Sequence, residues 1–298
     1  MTFMDKKVEV HIIAGVNPDP LQFYAKQGQL PQNLLKYAEE IKKNELQLLQ
    51  DLYYEHGPFT LFFQGNKEDV TSSRPNVLKF TKAKKLEVAF LDEGRCNYEE
   101  LEGYLFAKVI EGLNYLALSL FIKEMEKYAT RGDPGMLRDK ALGKVDSFAR
   151  NVSEGYYIAE RKTYIGREKS WIKRIEEKIK DARSNTKRIV AMVGVAHLSE
   201  KETGLNNTLG NYIARYDEKF EELYRDVGDF KDFLDDLPRV FSERKKRYLL
   251  ATLIKLREEG IMGHFDEELE KRGYKCKVYI PFNLRDLLEE LLSKDFSQ

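Results

Sequence analysis

Five short and strongly apolar segments limit this chain to few folds. They are VEVHIIAGV (8–16), FTLFF (59–63), LEVAFL (86–91), RIVAMVGV (188–195) and KCKVYI (275–280). FTLFF and RIVAMVGV are apolar at nearly every position, whereas a strand with one solvent-exposed face alternates apolar and polar residues. Long helix-like stretches separate the five segments. The sequence therefore predicts an α/β fold with a mixed sheet that long helices cover on both faces.

The helix-like stretches have recognisable ends. One begins with Pro31 at a first-turn position and stops near Gly57, and another begins at the cap residue Asn97, followed by acidic residues. Residues 134–184 and 206–260 are also mostly helical by pattern. About fifty helical residues follow the fourth strand before the last strand begins, which predicts a helical insertion or lid at 208–262 within a single 1–298 domain.

Aromatic residues recur along one side of this insertion. Tyr212, Tyr216, Phe220, Leu223 and Tyr224 lie three or four residues apart on the first helix of the insertion. Such a stripe is typical of a helix that packs on a core, which we favour over an aromatic platform for a ligand.

Charge and composition exclude several partners. The chain has 298 residues, of which 34% are charged, and its 50 basic residues balance its 50 acidic residues. This balance gives no electrostatic basis for binding nucleic acid or acidic membranes, and the basic run SERKKRY (242–248) is interpreted as a solvated face. Frequent Lys and Glu are compatible with a thermophilic source.

Cysteine content and apolar runs predict a cytoplasmic protein. The two cysteines, Cys96 and Cys276, form no disulfide framework and no CxxC motif. The first residues lack the apolar core of a signal peptide. The run LNYLALSLFI (113–122) is half the length needed to span a bilayer, so we expect a buried helix there and no membrane association.

Gly194 and His197 form the most informative local motif. The sequence Gly194-Val195-Ala196-His197 ends an apolar strand, and the carboxyl ends of parallel strands border the crevice where α/β proteins bind ligands. A histidine there is able to ligate a metal or move a proton near neutral pH. The alternative is a histidine whose ring hydrogen-bonds to neighbouring backbone groups.

The remaining histidines favour structural roles. His11 lies inside the first strand and His56 at the end of a helix. His264 and Glu267 form an HxxE pair without the second histidine of a zincin, so we expect His264 to cap the start of a helix. No phosphate-binding glycine loop, dinucleotide fingerprint or serine-hydrolase elbow is found.

The residues preceding His197 resemble the C-terminal signature of the TraB family. Its wider relatives include the Tiki proteins, the ChaN haem-binding proteins and the erythromycin esterases. In these families an arginine opens a helix R-(D/E)-x-x-(M/W)-x-x-x-I, and an apolar strand then delivers G-x-x-H. The chain matches this signature at Arg167, Glu168, Trp171, Ile175, Gly194 and His197. The DEGR segment (92–95) and VEVHIIAGVNPDP (8–20) resemble two further strand ends of the group.

Two positions depart from the family pattern. The opening motif of the family is Gly-x-x-His, but here Gly15 is followed by proline at position 18, where the histidine is expected. A second expected carboxylate is replaced by Gln64 or by Phe90, and Asp92 and Glu93 remain as substitutes.

The resemblance implies a pocket at the strand ends and a metal-assisted hydrolase of a peptide or ester bond. His197 would be a metal ligand or general base, Glu93 or Asp92 an acid/base or second ligand, and Arg167 would hold an anionic substrate or the carboxylate. The metal would be Zn, Mn or Fe, with His197 and Asp92 as ligands and Asp19 as a further donor. The four expected ligand-binding residues are Gly15, Asn17, Arg95 and Gly194. The alternative is a catalytically silent member of the same fold that binds a ligand or partner, or serves as a scaffold.

Overall fold

The computed structural model describes residues 8–15, 32–65, 67–92, 98–128, 133–180, 188–225, 229–283 and 285–286. The strands in these ranges are β1 Glu9–Gly15, β2 Thr60–Phe63, β3 Glu87–Phe90, β4 Arg188–Gly194 and β5 Lys275–Tyr279. The helices are α1 Gln32–His56, α2 Lys67–Ser73, α3 Pro75–Ala83, α4 Tyr98–Glu126, α5 Pro134–Tyr164, α6 Arg167–Lys180, α7 Glu200–Thr203, α8 Leu205–Arg225, α9 Phe230–Glu258 and α10 Phe265–Lys271. All five predicted strands are confirmed, each within about one residue of its predicted ends.

The strands form one sheet in the order β3-β2-β4-β1-β5. Every neighbouring pair in it is parallel, so the α/β class is confirmed but the sheet is parallel throughout rather than mixed. At least one helix lies between each strand and the next along the described chain, which lets every strand start from the same edge.

Two apolar layers cover the sheet and explain why β4 is continuously apolar. On one face Ile189, Ala191 and Val193 pack with side chains of α6 and α10, including Trp171 and Phe265. On the other face Val190 and Met192 pack with side chains of α1, α2 and α3. Successive strand side chains point to opposite faces, so both sets are buried and neither alternates with polar residues.

The chain divides into two compact units. The first comprises Met1–Arg95, Gly166–Leu205 and Met262–Gln298, and contains the sheet. The second comprises Cys96–Ile165 and Asn206–Ile261, so the helices predicted at 208–262 belong together with α4 and α5.

Side chains of the second unit correct one interpretation of the sequence and support another. Tyr216 and Phe220 of α8 are buried, as predicted, whereas the side chains of Leu223 and Tyr224 lie outside the described residues. The basic run at 242–248 is not simply a solvated face. Arg247 forms a bidentate ion pair with Asp217, because α8 brings acidic side chains next to α9.

Helix α4 differs from the prediction of a buried helix at 113–122. Leu113, Leu116 and Leu120 are 56%, 58% and 59% exposed. The helix is apolar around most of its circumference, and its packing against α5 and α9 leaves these leucines exposed. Judged by length and composition alone, its segment Glu102–Glu126 could cross a membrane, and only 17% of its most apolar 18-residue stretch is buried.

Candidate functional site

Four parallel strands bring their following residues to one edge of the sheet. β1 ends at Gly15, β2 is followed by Gln64, β3 by Asp92, and β4 by a short 3-10 turn that contains His197. Gly15 lies beside Gly194 in the register of β1 and β4. This carboxyl edge is the usual ligand-binding edge of a parallel sheet, and every described candidate residue except Arg167 comes from it.

Asp92 is held by three different donors. Arg167 donates to its two carboxylate oxygens from Nε at 3.1 Å and from Nη2 at 2.7 Å. The Trp171 indole Nε1 donates at 2.7 Å and the Gly65 backbone N–H at 2.9 Å. Burial alone would raise the pKa of Asp92, but the donors from Arg167, Trp171 and Gly65 together hold it below its ordinary value.

His197 uses both ring nitrogens in hydrogen bonds. The backbone N–H of Gly194 donates to Gln64 Oε1 at 2.5 Å, which turns the Gln64 amide nitrogen towards His197 Nε2 at 3.3 Å. An amide nitrogen only donates, so Nε2 accepts, and the ring proton lies on Nδ1. Nδ1 then donates to Glu168 Oε1 at 2.9 Å. His197 is 2% exposed, so this arrangement is enclosed.

Glu168 connects His197 to the loop before α10. Its carboxylate accepts the backbone N–H groups of Gly263 at 2.8 Å and His264 at 3.1 Å. The Trp171 ring lies edge-on to His197 with centroids 4.6 Å apart. Trp171 therefore contacts both Asp92 and His197, and the two predicted site residues belong to one buried network.

A second Arg–carboxylate pair lies next to Gly15. Arg74, which precedes α3, donates to Glu45 of α1 from Nε at 3.0 Å and from Nη2 at 3.3 Å. Glu45 is completely buried. A Cβ atom on Gly15 would lie 2.6 Å from Glu45 Oε1 and 3.0 Å from Arg74 Nη2, so the close approach requires glycine.

An open cavity borders this pair. It has a volume of about 410 Å³ and is lined by α1 and by the start of α3. Lys42, Lys43 and Arg74 supply cationic groups, and Glu39 and Glu45 supply carboxylates. The first turn of α3, with Pro75 at its start, also faces the cavity, and the amino end of a helix favours anions.

Sequence reasoning missed Glu45 and Arg74, although one of them left a signal. Ile41, Glu45, Leu49 and Leu52 recur at helical spacing, and all four are buried. A carboxylate on an apolar helix face needs a cationic partner, so Glu45 could have been singled out. Nothing in the sequence near Arg74 identifies it as that partner.

Several predicted site residues lie outside the described residues. These are Asn17, Pro18, Asp19, Glu93 and Arg95. Of the others, the structure joins Asp92 to Arg167 and His197 to Gly194 through Gln64, and it places Gly15 against the Arg74–Glu45 pair. Arg167 holds the carboxylate of Asp92, which is one of the two roles that the resemblance implies for it.

The other histidines occupy structural positions. His11 is buried in β1, where its ring nitrogen lies 3.0 Å from the hydroxyl of Tyr279, and its ring lies against His56. His264 occupies the position before α10, but its side chain makes no capping hydrogen bond. It lies 3.3 Å from Glu267 instead. The predicted place of His264 at the start of a helix with an acidic first turn is confirmed.

The described donor atoms do not fit a divalent metal. Both oxygens of Asp92 accept from Arg167, and Nε2 of His197 accepts from the Gln64 amide. Within the part of the chain that the structure describes, no three His, Cys, Asp or Glu side chains gather as a metal site would require.

Comparison of the chain with protein-family models, with curated proteins and with solved structures finds no match. The resemblance to the TraB family therefore stays a prediction from the motif residues.

Proposed function

We propose that this protein binds a small anionic ligand at the carboxyl edge of its sheet, as a catalytically silent member of a TraB-like fold. The observation that carries the proposal is the open cavity whose wall contains the buried Arg74–Glu45 pair, and this pair lies next to Gly15. Small-molecule sites are concave and contain a few oriented polar groups, and this cavity has both properties.

The charges of the cavity support an anion. Arg74 offers a planar guanidinium, Lys42 and Lys43 add two ammonium groups, and the first turn of α3 adds backbone N–H groups. Burial raises the pKa of Glu45, although Arg74 and Lys42 oppose this shift. Uptake of a proton by Glu45 would release part of the Arg74 charge to a ligand.

Thermal unfolding with inorganic phosphate and with citrate tests this proposal. A ligand at one hundred times its Kd stabilises by about 2.7 kcal/mol, which corresponds to a rise in Tm on the order of 5 °C. Lys43→Glu reverses a charge at the cavity and should abolish the rise. Lys79→Glu reverses an exposed charge on α3 outside the cavity lining and should leave the rise unchanged.

Two results would contradict ligand binding here. One is the absence of any rise with either anion at millimolar concentration. The other is an equal rise in the wild type and in Lys43→Glu, because that would indicate a general salt effect.

One contact favours a second candidate, hydrolysis of a peptide or ester bond. Glu168 orients the His197 ring through Nδ1, which directs Nε2 towards the carboxyl edge as in a general base held by a carboxylate. Gln64 occupies that nitrogen, so its amide would have to turn away before His197 could accept a proton from water.

Turnover of p-nitrophenyl acetate and elemental analysis of the purified protein test the second candidate. Hydrolysis that falls at least 100-fold in His197→Gln would support it. Stoichiometric Zn, Mn or Fe that disappears in His197→Ala would support the metal-assisted form, and no metal under any loading condition would exclude that form. No hydrolysis above that of the His197→Gln protein leaves ligand binding as the function.

A further inference from the structure

Helix α4 has an exposed apolar face that the proposed ligand site does not explain. Its six central side chains are between 44% and 59% exposed. They are Leu105, Phe106, Val109, Leu113, Leu116 and Leu120. Half-exposed side chains of this size each expose on the order of 100 Å² of apolar surface. Together they form an apolar patch of roughly 600 Å², which is the upper end of the largest patch found on a typical monomer.

The spacing along this face is that of a coiled-coil seam. Phe106, Val109, Leu113, Leu116 and Leu120 follow one another at alternating steps of three and four residues. An apolar repeat of this kind lets two helices interdigitate at a small crossing angle. Gly112 lies within the face with open space in front of it, so a second backbone could approach closely.

The opposite side of α4 buries Ala107, Leu118 and Met125 within its own unit, and it also carries one paired carboxylate. Glu111 accepts from Lys108 at 2.9 Å, from Lys245 of α9 at 2.5 Å and from Tyr156 of α5 at 3.0 Å. These donors together lower the pKa of Glu111 to about 2, so it stays charged. The ion pairs and the packing of α4 on the charged helix α5 make a membrane-spanning position costly for this helix.

We propose that the exposed face of α4 pairs with the same face of a second copy of this chain. The repeat is complementary to itself, as a two-fold symmetric interface requires. At roughly 600 Å² per partner, the face reaches the lower end of the area that specific interfaces bury, about 1,200 to 2,000 Å² in total.

Sedimentation equilibrium of the full chain tests the dimer. The wild type is a dimer at micromolar concentration, and Leu113→Glu with Leu116→Glu raises the dimer Kd about 100-fold or more, because two like charges then meet in an apolar seam. Met136→Glu, at a residue of α5 that is 67% exposed, is the matched control and leaves the dimer intact. Circular dichroism verifies that each variant folds.

Cross-linking gives a second measurement, which does not require a variant that breaks the dimer interface. Leu113→Cys, in a chain that also carries Cys96→Ser and Cys276→Ser, forms a covalent dimer on mild oxidation, whereas Met136→Cys in the same background does not.

Three results would overturn the dimer. The first is a monomeric wild type at every concentration. The second is a dimer that Leu113→Glu and Leu116→Glu leave intact. The third is a monomer that binds phosphatidylcholine vesicles through Leu113 and Leu116, which would assign the face to a lipid surface.

Discussion

Two buried Arg–carboxylate pairs at the same edge of the sheet differ in the state of their carboxyl groups. In both pairs the arginine donates from Nε and Nη2, and both carboxylates are less than a tenth exposed. The pKa of Asp92 is nevertheless lowered, whereas the pKa of Glu45 is raised.

Deeper burial of Glu45 and additional donors to Asp92 together account for the difference. Asp92 also accepts hydrogen bonds from Trp171 and Gly65, whereas the hydrogen bonds described for Glu45 come from Arg74 alone. At Glu45 the arginine does not offset the cost of burying the carboxylate, whereas at Asp92 the arginine and the further N–H groups together do. The Arg167–Asp92 pair is enclosed by its neighbours and is called the closed pair. The Arg74–Glu45 pair borders a cavity and is called the open pair.

Removing the arginine from the closed pair should have the largest effect. Arg167→Met leaves Asp92 charged and buried, and should lower the free energy of unfolding by about 3 to 5 kcal/mol. Urea denaturation at pH 7 measures it. The double variant with Asp92→Asn should recover part of the loss, and a loss below about 1 kcal/mol in the single variant would mean that Trp171 and Gly65 suffice to stabilise the charge.

The same substitution in the open pair should cost less. Arg74→Met leaves Glu45 without its arginine, but a carboxyl group whose pKa is already raised can take up a proton instead of remaining charged. We expect a loss of about 2 kcal/mol in the same urea experiment. A loss equal to that of Arg167→Met would remove the distinction between the two pairs.

Adding one methyl group beside the open pair should have a smaller effect. The Cβ of Gly15→Ala would lie 2.6 Å from Glu45 Oε1, so Glu45 and Arg74 have to shift. We expect a loss of about 1 to 2 kcal/mol, measured by thermal unfolding. Gly210→Ala is the control, since a Cβ there meets nothing within 4 Å and should stabilise α8 by about 0.5 to 1 kcal/mol.

The stability losses caused by Asp92→Asn and by Glu45→Gln should change with pH in opposite directions. The stability contributed by ionised Asp92 is complete above its ordinary value of 3.8 and is lost as the pH falls through its lowered pKa. The loss caused by Asp92→Asn should therefore be largest at neutral pH and should shrink in acid.

For Glu45 the sign is reversed. The stability contributed by protonated Glu45 is complete below its ordinary value of 4.5 and is lost as the pH rises through its raised pKa. The loss caused by Glu45→Gln should shrink as the pH rises, at no more than about 1.4 kcal/mol per pH unit. Urea denaturation between pH 3 and pH 8 measures both variants, and parallel slopes would contradict the comparison.

The sheet was predictable because its three inner strands are buried on both faces. The apolar runs of β2 and β4 mark them without ambiguity, and the long helical stretches between strands give the α/β class. The environment of α4 was not predictable, because an equally apolar helix sequence is found both in protein cores and at exposed binding faces. Its neighbours α5 and α9 decide which side is covered; α5 is the next helix along the chain, but α9 begins about a hundred residues later.

The candidate site was predictable where its residues adjoin strand ends. Arg167, Glu168 and His197 were selected from the motif, and Glu168 is indeed hydrogen-bonded to His197. The roles of these residues required geometry, because the sequence shows neither that Asp92 accepts from Trp171 nor that Gln64 turns its amide towards His197.

The position of β1 between β4 and β5 has a consequence for synthesis on the ribosome. β1 is the first described strand of the chain, yet its two neighbours in the sheet are the last two. At ribosomal rates the apolar residues of β1 wait on the order of tens of seconds before β5 has been made. Newly made chain thus carries an uncovered strand through most of its translation, and it is at this stage that the protein is most exposed to aggregation and to capture by chaperones.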